Sequence, residues 1–94
     1  MITVTVHYYN MLRRLTGLAR EPLELPEGVD VVVALRSLAD RHGPAFAELL
    51  FSPSGGLAPH LVIFVNDHLV VPGAPVPALA DGDKVKLLPA ISGG

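Results

Sequence analysis

The chain contains no cysteine, and this absence excludes several kinds of chemistry. Without a thiol there is no disulfide framework, no thiolate zinc site and no cysteine nucleophile. Long apolar runs are also missing, and none approaches the length of about 20 residues that a membrane-spanning helix requires. The first residues lack the charge and apolar pattern of a signal peptide. The net charge of −2 is far from the basic balance of a nucleic-acid-binding domain. We therefore expect a cytoplasmic protein that binds neither a membrane nor nucleic acid.

The polar residues form no recognisable catalytic or metal-binding pattern. No two of the four histidines have the i, i+4 spacing of a helical zinc site. Asp81 and Asp83 enclose a glycine, which is more typical of a turn than of a catalytic carboxylate pair. Residues 52–56 are rich in glycine but lack the lysine of a phosphate-binding loop. We predict no metal site and no bound cofactor, and scattered surface or rim positions for His7, His42, His60 and His68.

A chain of 94 residues, half of them hydrophobic, fits one compact domain, and its first part predicts two strands and one helix. Residues 2–8 alternate between apolar and polar side chains, as in a half-buried strand. Residues 22–25 predict a second strand, antiparallel to the first, and residues 10–17 between them read as a turn. Asp30 is a suitable N-cap for a helix that Gly43 ends.

The second part of the chain predicts further strands and little helix. Residues 45–51 fit one short helical turn. Residues 61–65 are apolar on both faces and predict a strand, which a turn connects to a short strand at residues 69–71. A long loop ends in the turn at residues 81–83 and leads to the last strand, at residues 84–88.

This order of elements predicts an α+β fold of the β-grasp, ubiquitin-like type. Residues 1–88 would form a mixed sheet of four to five strands, with the first and last strands side by side in the middle and one main helix packed on one face. The opposite face would stay open unless a loop covers it. An exposed apolar patch is typical of a partner site. The residues expected at this site are Val62, Phe64, Lys84, Lys86 and Leu88.

The last six residues predict a flexible tail. Pro89 cannot donate a ladder hydrogen bond, so regular pairing is expected to stop there. The five residues beyond it reach roughly 17 Å when fully extended, at about 3.3 Å each. The terminal glycines would fit a narrow enzyme channel, and the α-carboxylate of Gly94 would be the reactive group; the alternative is an ordinary frayed terminus. The tail consists of Pro89, Ala90, Ile91, Ser92, Gly93 and Gly94.

Three motifs follow one another in the second half of the chain. They are Val65-Asn66-Asp67, Leu79-Ala80-Asp81-Gly82-Asp83 and the terminal Leu88-Pro89-Ala90-Ile91-Ser92-Gly93-Gly94. Together with the early segment at residues 12–17, they resemble the MoaD/ThiS family of ubiquitin-like sulfur carriers, in its MoaD-like or CysO-like form. The resemblance covers essentially the whole chain.

The resemblance implies a carrier and not an enzyme. An ATP-dependent activating enzyme of the MoeB/ThiF type would adenylate the carboxylate of Gly94. A sulfur donor would then convert the acyl-adenylate to a thiocarboxylate, which a second partner enzyme uses. ATP belongs to the activating enzyme, so the chain itself would bind no cofactor, although it could serve as the small, non-catalytic subunit of molybdopterin synthase.

The resemblance leaves the destination of the sulfur open. Pro89-Ala90 departs from the Pro-Pro of molybdopterin synthase small subunits, and residues 59–67 look closer to the CysO-type carrier of cysteine synthesis. The accepting partner would be a molybdopterin synthase large subunit or an enzyme of the cysteine synthase type, and tRNA thiolation stays open.

Two further functions are compatible with the same residues. One is a protein modifier joined to lysine through Gly94, and the other is a non-covalent β-grasp binding module. Two interpretations are open for three arginines, Arg13, Arg14 and Arg20. They either contact an acidic patch on a partner or are solvated charges whose individual ion pairs are weak.

Overall fold

Two strands from distant parts of the sequence lie side by side in the centre of the sheet. β1 (Ile2–Tyr8) and β5 (Lys84–Pro89) run parallel, with Val6 opposite Val85. The structure, a computed structural model, describes residues 1–71 and 73–89.

Three further strands flank this central pair. β2 (Arg20–Leu25) pairs antiparallel with β1, β3 (Leu61–Val65) pairs antiparallel with β5, and β4 (His68–Leu69) pairs with β3. The order across the sheet is β2-β1-β5-β3-β4. The predicted β-grasp arrangement, a mixed sheet with the first and last strands in the middle, is therefore confirmed, with five strands.

The main helix forms as its caps and period predict. α2 (Val31–His42) begins after Asp30, whose carboxylate accepts a hydrogen bond from the Val33 N–H at 3.1 Å. Its buried residues recur at helical spacing and face the sheet. They are Val31, Ala34, Leu35 and Leu38.

Two shorter helices differ from the prediction. Residues 10–17 were expected to form a turn, but α1 (Met11–Thr16) is a short helix, because Leu12 packs fully into the core and Gly17 ends the helix in a left-handed conformation. α3 (Pro44–Leu50) is longer than the expected single turn. Its first residue is the proline that stops α2, and proline is well suited to that position because no N–H is required there.

The last two strands also differ slightly in extent. The short strand expected at residues 69–71 is β4, which begins at His68 and ends at Leu69. The last strand, expected to end at residue 88, includes Pro89, which is buried and lies opposite Leu61. A proline can occupy this place because it keeps its carbonyl acceptor although it has no N–H. The last strand therefore extends one residue further than predicted.

One buried polar cluster joins the sheet to α2. The carboxylate of Glu21 accepts hydrogen bonds from the Tyr8 hydroxyl, the His42 ring and the Arg41 guanidinium, the last at 2.7 Å. Burial favours the protonated form of Glu21, but these three donors outweigh it and hold the pKa of the carboxyl below its ordinary value. Burial, followed by the bond to Glu21, raises the pKa of Tyr8. His42, expected at the surface or the rim and on the apolar face of the helix, is half-buried and takes part in the packing between α2 and β2.

In the two stretches that the structure covers, 1–71 and 73–89, no helix has the length and apolar character to cross a membrane.

Candidate functional site

The face of the sheet that points away from the helices, here called the open face, carries the predicted partner residues. Alternation along β3 and β5 turns Ile63, Val85 and Leu87 toward the core and their neighbours to the other side. Val62, Phe64 and Leu88 are half-buried on the open face, so their predicted partial exposure is confirmed. Lys84 and Lys86 lie on the same face.

The strand registers place five side chains of the open face in one line across the sheet, and two of them, Phe64 and Lys86, are predicted partner residues. Arg20 lies opposite His7, His7 opposite Lys86, Lys86 opposite Phe64, and Phe64 opposite Leu69. We call this line the central row. It changes from basic on the β1 and β2 side to apolar on the β3 and β4 side.

In the basic half of the central row, the neighbours of His7 lower its pKa. Partial burial of the ring, and then the positive charges of Arg20, Lys86 and Lys84, lower the pKa of His7. Each of these effects disfavours a further positive charge at this point. The same field attracts a carboxylate, so the row is suited to an acidic partner.

The apolar half of the row borders a shallow depression of about 440 Å³, which Tyr9, Phe64, Asp67, Lys86 and Leu88 line. At its rim, Lys86 Nζ lies 2.7 Å from Asp67 Oδ1. This hydrogen bond lowers the pKa of Asp67 and raises that of Lys86. The depression can receive an apolar side chain while the rim stays charged, which is the usual anatomy of a small protein interface.

Tyr9 and Leu88 bring the depression to one end of the sheet, whereas Phe64 and Lys86 lie in the middle of their strands. Because β1 and β5 are parallel, the C-terminal ends of both strands lie at the same end of the sheet. Leu88 on the open face directly precedes Pro89, the last described residue. The opposite end is acidic, with Glu24 beside Thr3 and the Asp81 carboxylate accepting the Thr3 N–H at 2.8 Å. A partner that binds the basic and apolar part of the open face is therefore next to the start of the tail.

A polar side chain that the sequence did not single out contacts the end of β5. Asn10 Nδ2 donates a hydrogen bond to the carbonyl oxygen of Pro89, at 3.2 Å. Asn10 also has a backbone conformation that is unusual for a residue other than glycine, with φ 54° and ψ −129°. Tyr9, which lines the depression, was missed as well, because a single aromatic residue after a strand gives no distinctive signal.

Of the six remaining predicted site residues, the structure describes one, Pro89. Gly94, the predicted reactive terminus, and the channel-threading residues Ala90, Ile91, Ser92 and Gly93 lie outside the described residues. Pro89 is the end of β5. Residues 1–71 and 73–89 contain no group of three or more metal-ligating side chains.

The sheet order and the single main helix define a ubiquitin-like, β-grasp protein. Within this class the chain belongs to the ThiS family, whose family model matches residues 6–94. The resemblance of the sequence to the MoaD/ThiS family is therefore confirmed.

Solved structures of three similar proteins agree with this assignment. SAMP1 from Haloferax volcanii is 26% identical with a TM-score of 0.84, and the match covers 98% of this chain and 99% of that one. CysO from Mycobacterium tuberculosis is 33% identical with a TM-score of 0.70, covering 94% and 99%. A putative molybdopterin converting factor subunit 1 from Pyrococcus furiosus is 29% identical with a TM-score of 0.75, covering 97% and 100%. A comparison with curated protein sequences gave no significant match.

Proposed function

We propose that the chain is a sulfur carrier whose C-terminal carboxylate, on Gly94, is activated and converted to a thiocarboxylate by partner enzymes. The observation that carries this proposal is the position of the open face, whose basic and apolar contact residues lead directly to Pro89, from which the tail continues. Membership of the ThiS family over residues 6–94, a range that includes the terminal glycines, supports it.

The chemistry requires no acid, base or metal from this chain. One carboxylate oxygen of Gly94 bonds to the α-phosphorus of ATP on an activating enzyme of the MoeB/ThiF type, and pyrophosphate leaves. A hydrosulfide equivalent then attacks the carbonyl carbon and AMP leaves, so that one oxygen is replaced by sulfur. The ionised carboxylate is a poor electrophile at neutral pH, and the adenylate supplies the leaving group that it lacks.

The open face supplies the recognition that such a carrier needs. An acidic patch on the activating enzyme would meet Arg20, Lys84 and Lys86, and an apolar side chain would enter the depression beside Phe64 and Leu88. The charges would accelerate and orient the encounter, while the buried apolar contact would supply most of the affinity. A sulfur-accepting enzyme, of the molybdopterin synthase large-subunit or the cysteine synthase type, would use the same face in turn.

Intact-mass measurement tests the proposal. The purified chain is incubated with a MoeB/ThiF-type activating enzyme, ATP and sodium sulfide, and we expect a gain equal to one oxygen-to-sulfur exchange. The matched control is the chain without Gly94, which should unfold at the same temperature and gain no mass. The absence of the gain with every activating enzyme that binds the chain would contradict a carrier function.

A second function, attachment to other proteins, is favoured by one specific comparison. SAMP1 proteins, to which this chain is similar, are described as small archaeal modifier proteins. Both functions share the adenylate, so the products distinguish them. Gly94 recovered in an isopeptide bond to a lysine would indicate a modifier, whereas a thiocarboxylate without conjugates would indicate a carrier. If removal of Gly93 and Gly94 changes no partner interaction or product, the chain is a non-covalent binding module.

A further inference from the structure

The turn between β3 and β4 consists of two residues in the left-handed conformation. Asn66 has a φ of 50° and Asp67 a φ of 68°. A two-residue hairpin turn of this kind requires a positive φ at both positions, and glycine is the residue preferred at the second one. Aspartate tolerates the left-handed conformation, but glycine adopts it at lower cost. The turn alone therefore does not explain an aspartate at the second position.

The two side chains of this turn have different roles. Asn66 connects the turn to the start of β5, because its Oδ1 accepts the Lys84 N–H at 2.9 Å and its Nδ2 donates to Asp83 Oδ1 at 2.7 Å. The Asp67 side chain is 83% exposed, and its carboxylate contacts Lys86 Nζ at 2.7 Å. Exposed ion pairs contribute little to stability. The contact between Asp67 and Lys86 is therefore not explained by stabilisation of the fold.

Lys86 lies where the basic and apolar halves of the central row meet. Its neighbours in the row are His7 on one side and Phe64 on the other, and it lines the depression together with Phe64 and Leu88. A carboxylate bound to Lys86 therefore lies next to the place that an apolar group can enter. The Asp67 carboxylate already binds this ammonium. The ammonium has three N–H donors, but two carboxylates that share it repel each other.

We propose that Asp67 is an internal competitor for a partner's carboxylate, and that it yields Lys86 to a partner that presents a carboxylate next to an apolar group. This inference deepens the proposed function, on which it rests, because it names the chemistry of the partner's contact. Asp67 is attached to the same domain as Lys86, so a free carboxylate competes with it poorly. The apolar contact in the depression supplies the additional free energy. Asp67 thereby makes docking depend on both groups.

A small probe tests the competition without any partner enzyme. Hydrocinnamate carries a phenyl ring and a carboxylate, and its binding is followed through the amide chemical shifts of Phe64, Lys86 and Leu88. We expect Asp67→Asn to lower the Kd of hydrocinnamate about two- to fivefold, the range that corresponds to release of one exposed ion pair. The neutral amide, hydrocinnamide, should bind the wild type and the variant equally, and acetate, which lacks the ring, should bind the wild type more weakly than hydrocinnamate.

Three further variants separate competition from net charge and from the turn. Glu24→Gln removes the same charge at the acidic end of the open face and should leave the Kd of hydrocinnamate unchanged. In a Lys86→Gln background, Asp67→Asn should no longer lower this Kd, because the ammonium for which the carboxylates compete is absent. Asp67→Gly suits the left-handed turn, so it should unfold at the wild-type temperature or above it and bind hydrocinnamate as Asp67→Asn does.

Several results would overturn the inference. No binding of hydrocinnamate to any variant would show that Lys86 and the depression do not form a joint site. An unchanged or higher Kd in Asp67→Asn would show that Asp67 does not compete, and an equal fall of the Kd in the Lys86→Gln background would make Asp67 a general repulsive charge. Acetate that binds the wild type as tightly as hydrocinnamate would remove the need for the apolar group.

The same variant also acts on the proposed activation step. Asp67→Asn should lower the KM of the proposed activating enzyme for this chain about two- to fivefold, and Glu24→Gln should leave this KM unchanged. An unchanged KM in Asp67→Asn, in a chain that the enzyme charges, would overturn the role of Asp67 in docking. A wild-type chain that no activating enzyme charges overturns the proposed function, whereas the hydrocinnamate comparison still decides whether Asp67 competes for Lys86.

Discussion

The two faces of the sheet differ sharply although the same strands form both. On β5, Val85 and Leu87 are completely buried against the helices, whereas Lys86 and Leu88 on the open face keep part of their surface exposed. One face therefore supplies the apolar burial that stabilises the fold, and the other is available for recognition. The comparison teaches that neighbouring residues of one strand should respond to substitution in opposite ways, one in stability and the other in binding.

The largest expected effect is a difference in the free energy of unfolding between variants of Leu87 and of Leu88. Leu87→Ala leaves a cavity in a fully buried site and should lower the free energy of unfolding by about 2–5 kcal/mol. Leu88→Ala, the matched control one residue later, should cost about 1 kcal/mol or less, because only part of that side chain is buried. Urea denaturation measures both. Equal losses would mean that the open face is as important for stability as the core face.

A second prediction concerns the polar cluster on the core side. Glu21→Gln should lower the free energy of unfolding by about 1–3 kcal/mol at neutral pH, because the charge-assisted bonds to Arg41 and His42 are weakened. The pKa of Glu21 is lowered by folding, so its contribution is complete above its ordinary pKa of 4.5 and is lost as the pH falls through the lower folded value.

The difference in stability between wild type and Glu21→Gln should therefore shrink as the pH is lowered below about 4.5. Denaturation curves collected between neutral and acidic pH measure it. A difference that stays constant down to the acid limit would contradict the assignment of the effect to the ionised carboxylate.

Substitutions in the central row should have the smallest effect on stability and a clear effect on binding. Lys86→Glu should raise the KM of the proposed activating enzyme for this chain by about tenfold, and more at low salt, because the basic part of the row, which attracts carboxylates, then carries a negative charge that repels them. The unfolding temperature should hardly change, since the ion pair with Asp67 is exposed. Arg36→Glu makes the same charge change at an exposed position of α2, on the other side of the sheet, and is the control. Because Arg36 also bonds to the Gly55 carbonyl and lies over the Phe51 ring, the unfolding temperature of this variant is measured too. An equal rise of KM in the two variants would show that the partner responds to the net charge of the chain and does not bind the open face specifically.

The sequence predicted the parts of the fold that local patterns specify. The alternation in β1 and the cap at Asp30 are short-range signals, and both were correct. α1 was missed because a helix of six residues has little intrinsic stability and forms only when Leu12 is buried by the rest of the chain.

The site was predictable only in part, for a related reason. The alternation along β3 and β5 was enough to predict that Phe64 and Leu88 are partly exposed. The central row, in contrast, depends on the register between four pairs of strands, which the sequence of a single strand does not specify. The Glu21 cluster and the Asn10 bond join residues 13 to 79 positions apart, so neither has a local signature.

The central place of β5 also sets an order of events during synthesis. β1 leaves the ribosome first, but its partner on one side is β5, near the other end of the sequence. Until that last strand has emerged, β1 and β3 have no neighbour between them and the sheet is divided into two halves. A partner that recognises the assembled open face therefore encounters only chains in which β5 has already been made and paired with β1 and β3.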